Sequence, residues 1–474
     1  MASRIKFGTD GWRAVIAEDF TYDNVRACAQ GVADYVKGAG TTRGSIVIGF
    51  DTRFGSDEFA AAAAEVLAGN GIKVFLLTRP APTPVTSFTV TALKADGGIM
   101  ITASHNPANY NGFKYKVASG SSAPTEVISQ IEQSANAAVD TGTVRRLDLG
   151  EALKKKLVAY HDPYHAYAKH LNRLINIETL KKNKLKIVVD SMFGAGIGYF
   201  KSLLEGGQIE IHEINRVRNP LFPGIQPEPI SKNLSKLARQ VIRDDAAVGF
   251  ATDGDADRIG IIDENGRFMT TQEVFALLAL YFLDVRKERG PLVKTLTSTD
   301  MLFTIGEIYN VPVFETTVGF KYVAPVMIRE KALLGGEESG GYGFRGHIPE
   351  RDGMLAGLYF IDYMVRTGKS PSQLLANLFK KVGPHYYDRL DIHTTDEIKQ
   401  QMLAKMSAAP VAKIGGQKVV KLDTRDGFRY KLEDGSWLLV RFSGTEPLVR
   451  IYAECGTMEE VQKLIQYGQE MAGV

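Results

Sequence analysis

One pattern recurs along this chain and constrains its fold more than any other feature: an apolar strand that ends in a polar turn before a helix. The strand predicted over 45–50 ends in Asp51-Thr52-Arg53, and the strand predicted over 184–190 enters a glycine-rich turn. Leu292 to Thr297 runs into Ser298-Thr299-Asp300 in the same way. Because the spacing is roughly 110–140 residues, it is too long for a solenoid repeat. Strands that alternate with helices instead predict related α/β domains with largely parallel pairing.

The length of the chain predicts several domains, because 474 residues exceed what a single hydrophobic core accommodates. The lysine-rich stretch 154–156 and Gly383-Pro384 are the predicted linkers. Beyond the second linker the sequence is rich in strands, with helices predicted over 397–406 and 459–471. We therefore expect an α/β protein of four domains. The predicted boundaries are 1–153, 154–264 and 265–382 for three α/β domains, and 383–474 for a smaller α+β domain.

The overall charge and the cysteines exclude several classes of function. A net charge of +3 is small for this length and argues against nucleic acid or an anionic membrane as a partner. Cys28 and Cys455 alone form neither a disulfide framework nor a thiolate metal site. The sequence contains no apolar run of about 18 residues and no apolar N-terminal signal segment. We therefore expect a cytoplasmic protein.

Ser104 lies in the run Thr102 to Pro107, directly after a predicted strand over 99–102. Open α/β sheets bind ligands at the carboxyl ends of strands, so this hydroxyl is placed to carry a phosphoryl group. His105 offers hydrogen bonds beside it, and Lys114 could reach a phosphate or act as an acid or base if burial lowers its pKa. The alternative is an ordinary turn in which Ser104 caps a helix. The G-x-S-x-G pattern of esterases is absent.

Three aspartates, Asp253, Asp255 and Asp257, alternate along a segment that we expect to be extended, with the carboxylates on one side. Such hard oxygen ligands suit Mg²⁺ or Ca²⁺. A calcium-binding EF-hand is disfavoured because Arg258 stands where that loop requires glycine, and because strands are predicted on both sides. An arginine next to the ligands favours a phosphate that shares the ion with the protein. The alternative is a solvated acidic tip of a hairpin.

A glycine-rich loop over 335–341 carries Glu337 and Ser339. Carboxylates accept hydrogen bonds from two neighbouring sugar hydroxyls, so this loop is a candidate sugar-binding wall. His347 and Arg351 follow closely and could complete a polar pocket. The alternative is an exposed turn without a ligand.

Near the C-terminus, a polar turn over 441–447 separates two apolar strands. Its glycine allows consecutive backbone N–H groups to point inward as an anion-binding nest. The side chains of Arg441 and Arg450 can add forked contacts to a phosphate, and the turn supplies hydroxyl donors. A plain hairpin is the alternative. No Walker-A or GxGxxG pattern indicates a nucleotide.

With these residues together, the chain resembles the α-D-phosphohexomutase family, which includes phosphoglucomutases and phosphomannomutases. The resemblance runs essentially from end to end and rests on four motifs in the family's order. They are Thr102 to Pro107, Asp253 to Arg258, Gly336 to Ser339, and Arg441 to Thr445. The resemblance implies four domains around a central cleft, with one motif in each domain and mixed sheets in the first three.

The resemblance also implies a role for each motif residue. Ser104 would be the phosphorylated serine, and Mg²⁺ would be the cofactor, with glucose 1,6-bisphosphate as activator and intermediate. The implied catalytic residues are Ser104, Lys114, His347 and Arg13, and the implied metal ligands are Ser104, Asp253, Asp255 and Asp257. The implied substrate-binding residues are His105, Arg258, Lys321, Glu337, Ser339, Arg351, Arg441, Ser443, Gly444, Thr445 and Arg450.

Within the family, Gly336-Glu337-Glu338-Ser339 is most similar to the phosphoglucomutase version, although Phe320 and Gly340 depart from it. We therefore expect interconversion of glucose 1-phosphate and glucose 6-phosphate through a phosphoserine enzyme. The alternatives are a mutase of dual specificity for mannose and glucose phosphates and a Mg²⁺-dependent sugar-phosphate phosphatase. The expected partners are small hexose phosphates, and the chain is expected to be a monomer or a homodimer.

Overall fold

The computed structural model describes residues 4–40, 44–408, 411–442 and 448–473. In these ranges the strands form four sheets, which follow one another along the chain. The first three sheets mix parallel with antiparallel pairing and have helices packed on them, whereas the pairing described for the fourth is antiparallel. The predicted fold class is thereby confirmed: three α/β domains with mixed sheets and a C-terminal α+β domain.

The first domain is built on a mixed sheet. Its strands are β1 (Trp12–Val15), β2 (Ser45–Phe50), β3 (Lys73–Leu77), β4 (Gly97–Ile101), β5 (Tyr110–Val117) and β6 (Val158–His161). They lie in the order β1-β5-β4-β2-β3-β6, and among the described strands β5 pairs antiparallel with both β1 and β4, whereas the other pairs are parallel. The helices are α1 (Tyr22–Gly38), α2 (Ser56–Gly69), α3 (Thr83–Ala92), α4 (Thr125–Thr141) and α5 (Leu149–Lys154). Because β6 pairs in parallel with β3, this domain extends beyond the predicted boundary after residue 153.

The second domain begins with two helices and carries the aspartate run. Its helices are α6 (Tyr164–Leu174), α7 (Ile177–Lys181), α8 (Tyr199–Leu204) and α9 (Ser235–Asp244), with a 3-10 turn at Ser231–Asn233. Its strands are β7 (Leu185–Asp190), β8 (Ile209–Ile214), β9 (Val248–Thr252), β10 (Ile259–Ile262) and β11 (Phe268–Met269). The order is β11-β10-β9-β7-β8, and β9 and β10 form an antiparallel hairpin. The short β11 lies past the predicted boundary at 264 because it pairs back onto β10.

The third domain surrounds a smaller mixed sheet with helices. Its strands are β12 (Leu292–Thr295), β13 (Val313–Thr316), β14 (Leu334–Gly336) and β15 (Tyr342–Phe344), in the order β13-β12-β14-β15. Its helices are α10 (Thr271–Leu280), α11 (Met301–Tyr309), α12 (Phe320–Glu330), α13 (Gly353–Thr367) and α14 (Pro371–Val382). A π-helical turn at Tyr281–Val285 extends α10.

The fourth domain packs two helices with an antiparallel sheet. The strands are β16 (Tyr386–His393), β17 (Lys413–Ile414), β18 (Gln417–Asp423), β19 (Phe428–Leu432), β20 (Trp437–Phe442) and β21 (Leu448–Cys455), in the order β16-β21-β20-β19-β18-β17. The helices are α15 (Asp396–Ala408) and α16 (Met458–Ala472), where the sequence predicts them.

The hydrophobic cores divide the molecule unevenly. One buried apolar cluster runs from α3 of the first domain through the second and third domains, so that these three are joined by shared packing. The fourth domain has an apolar cluster of its own. Ion pairs join it to the third domain: Arg429 donates to Asp300 Oδ1 at 2.7 Å and to Glu315 Oε2 at 2.9 Å. Directional polar contacts therefore help to hold the fourth domain at this boundary.

None of the helices in the described ranges is long and apolar enough to cross a membrane.

Candidate active site

The serine loop connects β4 to β5 and holds Ser104 in a left-handed backbone conformation, with φ of 52°. Its hydroxyl is buried and donates to Asp253 Oδ2 at 2.8 Å, while the Nδ1 atom of His105 lies 3.4 Å from the same oxygen. The loop leads into a strand, so Ser104 is not the cap of a helix. The second domain contacts this loop closely, because a Cβ at Gly254 would lie only 2.3 Å from the carbonyl oxygen of Ser104.

Arg53, at the carboxyl end of β2, holds the serine loop in shape. Its guanidinium is fully buried, and its Nε lies 3.2 Å from Asp51 Oδ2. The terminal nitrogens donate at 2.6–3.0 Å to four backbone carbonyls, those of Ser104, Asn106, Pro107 and Tyr110. Hydrogen bonds from a charged donor are about twice as strong as neutral ones, so this side chain fixes the loop. The sequence pattern marked Asp51-Thr52-Arg53 as a strand end but assigned Arg53 no role.

The aspartate run forms the turn between β9 and β10 rather than an extended segment, and Ala256 adopts a left-handed conformation with φ of 53°. Asp253, Asp255 and Asp257 are fully buried, so the interpretation as a solvated hairpin tip is wrong. One carboxylate oxygen from each lies within 4.8 Å of the others. The turn, not strand alternation, brings the three carboxylates to one point.

The electrostatics of this cluster favour a divalent cation. Burial and the neighbouring Asp255 and Asp257 carboxylates raise the pKa of Asp253 well above its usual value. Within the described residues, Asp255 Oδ1 and Asp257 Oδ1 are buried and accept no hydrogen bond. Buried, unpaired carboxylate oxygens carry a large desolvation cost that a bound cation removes. Oxygen-only ligands fit Mg²⁺, especially when a phosphate completes the coordination.

Lys114, on β5, donates to Asp255 Oδ2 at 2.9 Å and lies 2.8 Å from Asp10 Oδ2. Burial acts to lower the pKa of its ammonium, but Asp10, Asp255 and Asp257 outweigh that effect and raise it above the usual value. The expectation of a lowered pKa is therefore wrong for this arrangement. Lys114 is held as a cation that can bind a phosphoryl group or donate a proton.

Arg351 joins the first three domains through buried ion pairs. Its Nη2 lies 2.7 Å from Asp257 Oδ2 and 3.0 Å from Asp10 Oδ2, and its Nη1 donates to Glu337 Oε2 at 3.0 Å. Asp10 precedes β1 and pairs with Lys114 as well, yet sequence reasoning passed it over for its neighbour Arg13. The only signal for Asp10 in the sequence is its place in the short run Thr9 to Arg13.

The polar residues closest to the serine loop come from two domains. Arg13 donates to Asn106 Oδ1 at 2.6 Å, and Arg258 lies beside the aspartates, with its Nη1 3.6 Å from Glu228 Oε1. Burial, Arg258 and Arg13 lower the pKa of the His105 imidazole well below its usual value. His105 is therefore neutral beside these two arginines.

The glutamate loop, residues 337–341, connects β14 to β15 and lies against the turn that carries Asp253 to Asp257. Burial raises the pKa of Glu337 to about 7, with Arg351 acting in the opposite direction and Glu338 adding to the rise. Glu338 Oε2 accepts from Thr297 at 2.6 Å, and Ser339 is partly buried in the same turn. Gly340 has φ of 86°, and a Cβ there would lie 2.7 Å from the carbonyl oxygen of Ile259, which explains why this chain has no aromatic residue at that position.

His347 is not brought to the serine loop. Its ring has no exposed surface, with Nδ1 3.0 Å from His170 Nε2 and Nε2 2.9 Å from Asp352 Oδ2. An acid or base must present a ring nitrogen to the substrate, and both nitrogens are already engaged. Neither ring nitrogen of His347 is open to a ligand in this structure, and its catalytic role stays a prediction. Its nearness in sequence to Arg351 did not indicate the face on which it lies.

Lys321 lies at the start of α12, close to the first domain. Its Nζ is 3.4 Å from Thr125 Oγ1, and it lines a cavity of about 300 Å³ together with Asp10 and Lys114. The structure therefore places Lys321 near the first-domain part of the site. Its role in binding substrate stays a prediction.

The fourth domain, from here on the tail domain, contributes Arg441 and Arg450. These two residues are directly opposite each other on the paired strands β20 and β21. Arg441 donates from Nε to Asp426 Oδ1 at 2.9 Å, and Arg450 Nε lies 3.7 Å from Asp391 Oδ1. Burial acts to lower the pKa of Arg441, but Asp426 raises it, and Glu338 of the third domain adds to the rise. Ser443, Gly444 and Thr445 lie outside the described residues.

Polar residues of the first three domains therefore meet around Ser104. The hydroxyl contacts Asp253, and Arg351 pairs with both Asp257 and Glu337. Glu338 of the third domain also helps to raise the pKa of Arg441 in the tail domain. The buried hydroxyl, the carboxylate cluster and the arginines suit a small anionic ligand with polar groups.

Comparisons with known proteins cover the whole of this arrangement. Models of phosphoglucomutase/phosphomannomutase domains match in chain order: alpha/beta/alpha domain I at 4–141, domain II at 165–266, domain III at 270–382 and the C-terminal domain at 395–467. A phosphoglucomutase/phosphomannomutase of Thermococcus kodakarensis is 31% identical over 98% of this chain and 97% of its own length. A Methanopyrus kandleri protein assigned as a phosphoglucosamine mutase is 31% identical over 97% and 95% of the two chains. A crystal structure from Thermus thermophilus, assigned as a phosphomannomutase, is 35% identical, covers 100% of both chains and has a TM-score of 0.87.

Proposed function

The chain belongs to the phosphoglucomutase/phosphomannomutase family, and we propose that it interconverts glucose 1-phosphate and glucose 6-phosphate through phosphoserine 104 and a bound 1,6-bisphosphate. As a phosphohexomutase it is an enzyme of intramolecular phosphoryl transfer. The observation that carries the proposal is the hydrogen bond of 2.8 Å from the buried Ser104 hydroxyl to Asp253, inside a cluster of three carboxylates. A phosphoryl group on that oxygen would lie directly at the candidate cation site.

Different residues of the chain would bind the cation and handle the proton during the transfer. Bound Mg²⁺ would neutralise charge on the phosphoryl oxygens, and Asp253, Asp255 and Asp257 would hold it. A free hydroxyl of the hexose monophosphate attacks the phosphorus, the new P–O bond forms to the sugar, and the bond to Ser104 Oγ breaks. The Lys114 ammonium would offset charge on that leaving oxygen and give it a proton, and the neutral amine would then take the proton of the sugar hydroxyl, which restores the ammonium. Such transfers depend mainly on positioning and charge stabilisation.

The intermediate must then turn over so that its other phosphate faces Ser104. The same step then runs in reverse, and the protons moved in the first transfer are recovered in the second. The polar wall between the two ends therefore has to accept the sugar in both directions. Glu337 and Ser339 offer acceptor and hydroxyl groups without a shaped apolar slot, which suits this requirement.

The preference for glucose is proposed from Glu338, which completes the glucose-type motif and helps to raise the pKa of both Glu337 and Arg441. A coupled assay with glucose, mannose and glucosamine 1-phosphates, primed with glucose 1,6-bisphosphate, tests it. We expect the highest kcat/KM for the glucose ester. If the mannose ester falls within about tenfold of it, a gap of only about 1.4 kcal/mol, the dual-specificity alternative is correct instead. Release of inorganic phosphate without isomerised product would identify a phosphatase.

The raised pKa of Glu337 predicts a specific pH dependence of kcat/KM. Its pKa of about 7 means that the carboxylate is protonated below that pH and then loses acceptor capacity toward sugar hydroxyls. We expect kcat/KM of the wild-type enzyme to fall by about tenfold for each pH unit below 7. Glu337→Gln should be slower and should lose this limb of the profile.

Two comparisons isolate the effect of Glu337. The substrate's own phosphate loses its second proton near pH 6, at about the value of a phosphoserine, so a limb near 6 should remain in the variant. Glu330→Gln, at the end of α12, removes a carboxylate that pairs with Arg329 and should keep the wild-type profile. An unchanged profile in Glu337→Gln would show that another group titrates.

A further inference from the structure

A turn of the tail domain reaches across to the third domain at Asp426, between β18 and β19. One carboxylate oxygen of Asp426 accepts the backbone N–H of Val318 at 3.0 Å, and the other accepts Arg441 Nε at 2.9 Å. Val318 lies directly before Gly319, Phe320 and Lys321, at the start of α12. A single carboxylate thus connects the segment that carries Lys321 with an arginine of the tail sheet.

The hydrogen bond from Arg441 Nε to Asp426 determines the orientation of the Arg441 guanidinium. A guanidinium that is held at Nε has its plane fixed, and its two terminal nitrogens then point away together. In the part of the chain that the structure describes, the side chain of Arg441 makes no other hydrogen bond. Arg441 is only 12% exposed, and Arg450 faces it on the next strand, so the two like charges repel each other unless anions flank them. Asp426 supplies one of those anions.

We infer that Asp426 is a positioning residue for the distal phosphate: it orients Arg441 and fixes the distance between that arginine and the sugar-binding segment of the third domain. The inference rests on the proposed function, in which Arg441 holds the non-reacting phosphate of the hexose. A forked arginine recognises a phosphate only when both terminal nitrogens face it. Without Asp426, Arg441 would keep its charge but lose this orientation.

The same turn provides a matched control. Arg425 donates to Glu315 Oε1 at 2.8 Å and to the Glu315 carbonyl at 3.1 Å, so it also connects the tail domain to the end of β13. It makes no described contact with Arg441. If the turn served only to dock the fourth domain, Arg425→Ala and Asp426→Ala would have the same consequences.

The test compares KM, kcat and the inhibition constant of inorganic phosphate in four variants: Asp426→Ala, Arg425→Ala, Arg441→Ala and the double variant of Asp426 and Arg441. We expect Asp426→Ala to raise KM and the phosphate inhibition constant by about tenfold, with kcat within about threefold of wild type. Arg425→Ala should change neither constant by more than about twofold. Because Asp426 acts through Arg441, the double variant should match Arg441→Ala.

Two results would overturn the inference: equal effects of Asp426→Ala and Arg425→Ala, or a double variant in which the two losses add. Failure of the proposed function is recognised separately, by a wild-type enzyme that isomerises none of the hexose phosphates. In that event, calorimetric titration of inorganic phosphate into wild type and into Asp426→Ala tests the role of Asp426. Binding that is about tenfold weaker in the variant supports the role of Asp426. Equal binding, or none to the wild type, contradicts it.

Discussion

Ser104→Ala is expected to lower the mutase rate by about four orders of magnitude or more, because it removes the oxygen that carries the phosphoryl group. The loss should appear in kcat, since no residue within the serine loop can replace that oxygen. The fold should persist, because the loop is held by Arg53 through backbone carbonyls and not through the serine side chain. Circular dichroism and thermal unfolding of the variant check that point beside the rate.

The matched control for Ser104→Ala is Ser119→Ala. It removes an exposed hydroxyl on the turn after β5 and should leave the rate unchanged. The Ser104→Ala protein should still bind glucose 1,6-bisphosphate, because the aspartate cluster and the tail arginines remain. Activity within tenfold of wild type would mean that the phosphoryl group is carried elsewhere.

Asp253→Asn is expected to abolish the response to Mg²⁺ and to reduce activity by about a thousandfold. The substitution keeps the size of the side chain and an oxygen for the Ser104 hydroxyl, but it removes one of three negative charges. Since those charges repel one another in a buried site, the metal-free variant should unfold at a temperature no lower than metal-free wild type. Added Mg²⁺ should stabilise wild type, by about 2.7 kcal/mol at a hundred times its Kd, and should stabilise the variant much less.

Thermal unfolding in EDTA and in Mg²⁺, with calorimetry of metal binding, measures these effects. Asp140→Asn, on the exposed face of α4, removes a carboxylate away from the cluster and should behave as wild type in both conditions. An equal gain from Mg²⁺ in wild type and Asp253→Asn would contradict the site. Binding of Ca²⁺ without any response to Mg²⁺ would restore the calcium-binding alternative.

The sequence predicted those parts of the site that lie at strand ends. The strand patterns over 45–50 and 184–190 reappear as β2 and β7, and the serine loop follows β4 as expected. Ser104 could be found because ligands gather at the carboxyl ends of strands. The two helices of the tail domain were also predicted close to their observed ends.

Contacts between distant parts of the chain could not be predicted in this way. Asp10 and Arg351 are 341 positions apart, and no local pattern shows that they meet. The aspartate turn depends on the left-handed conformation of Ala256, which strand alternation does not indicate. His347 follows the glutamate loop closely but faces α6, because a short sequence distance does not fix the side on which a residue lies. The sequence also did not indicate that β6, beyond the predicted boundary at 153, returns to a sheet formed much earlier.

In the proposed reaction, Ser104 gives its phosphoryl group to the hexose and takes one back. Glucose 1,6-bisphosphate labelled with ³²P should be incubated with the enzyme, and the labelled peptide should be identified by mass spectrometry. The account predicts label on Ser104 that moves to hexose phosphate when unlabelled glucose 6-phosphate is added. Label on another residue, or label released only as inorganic phosphate, would contradict it.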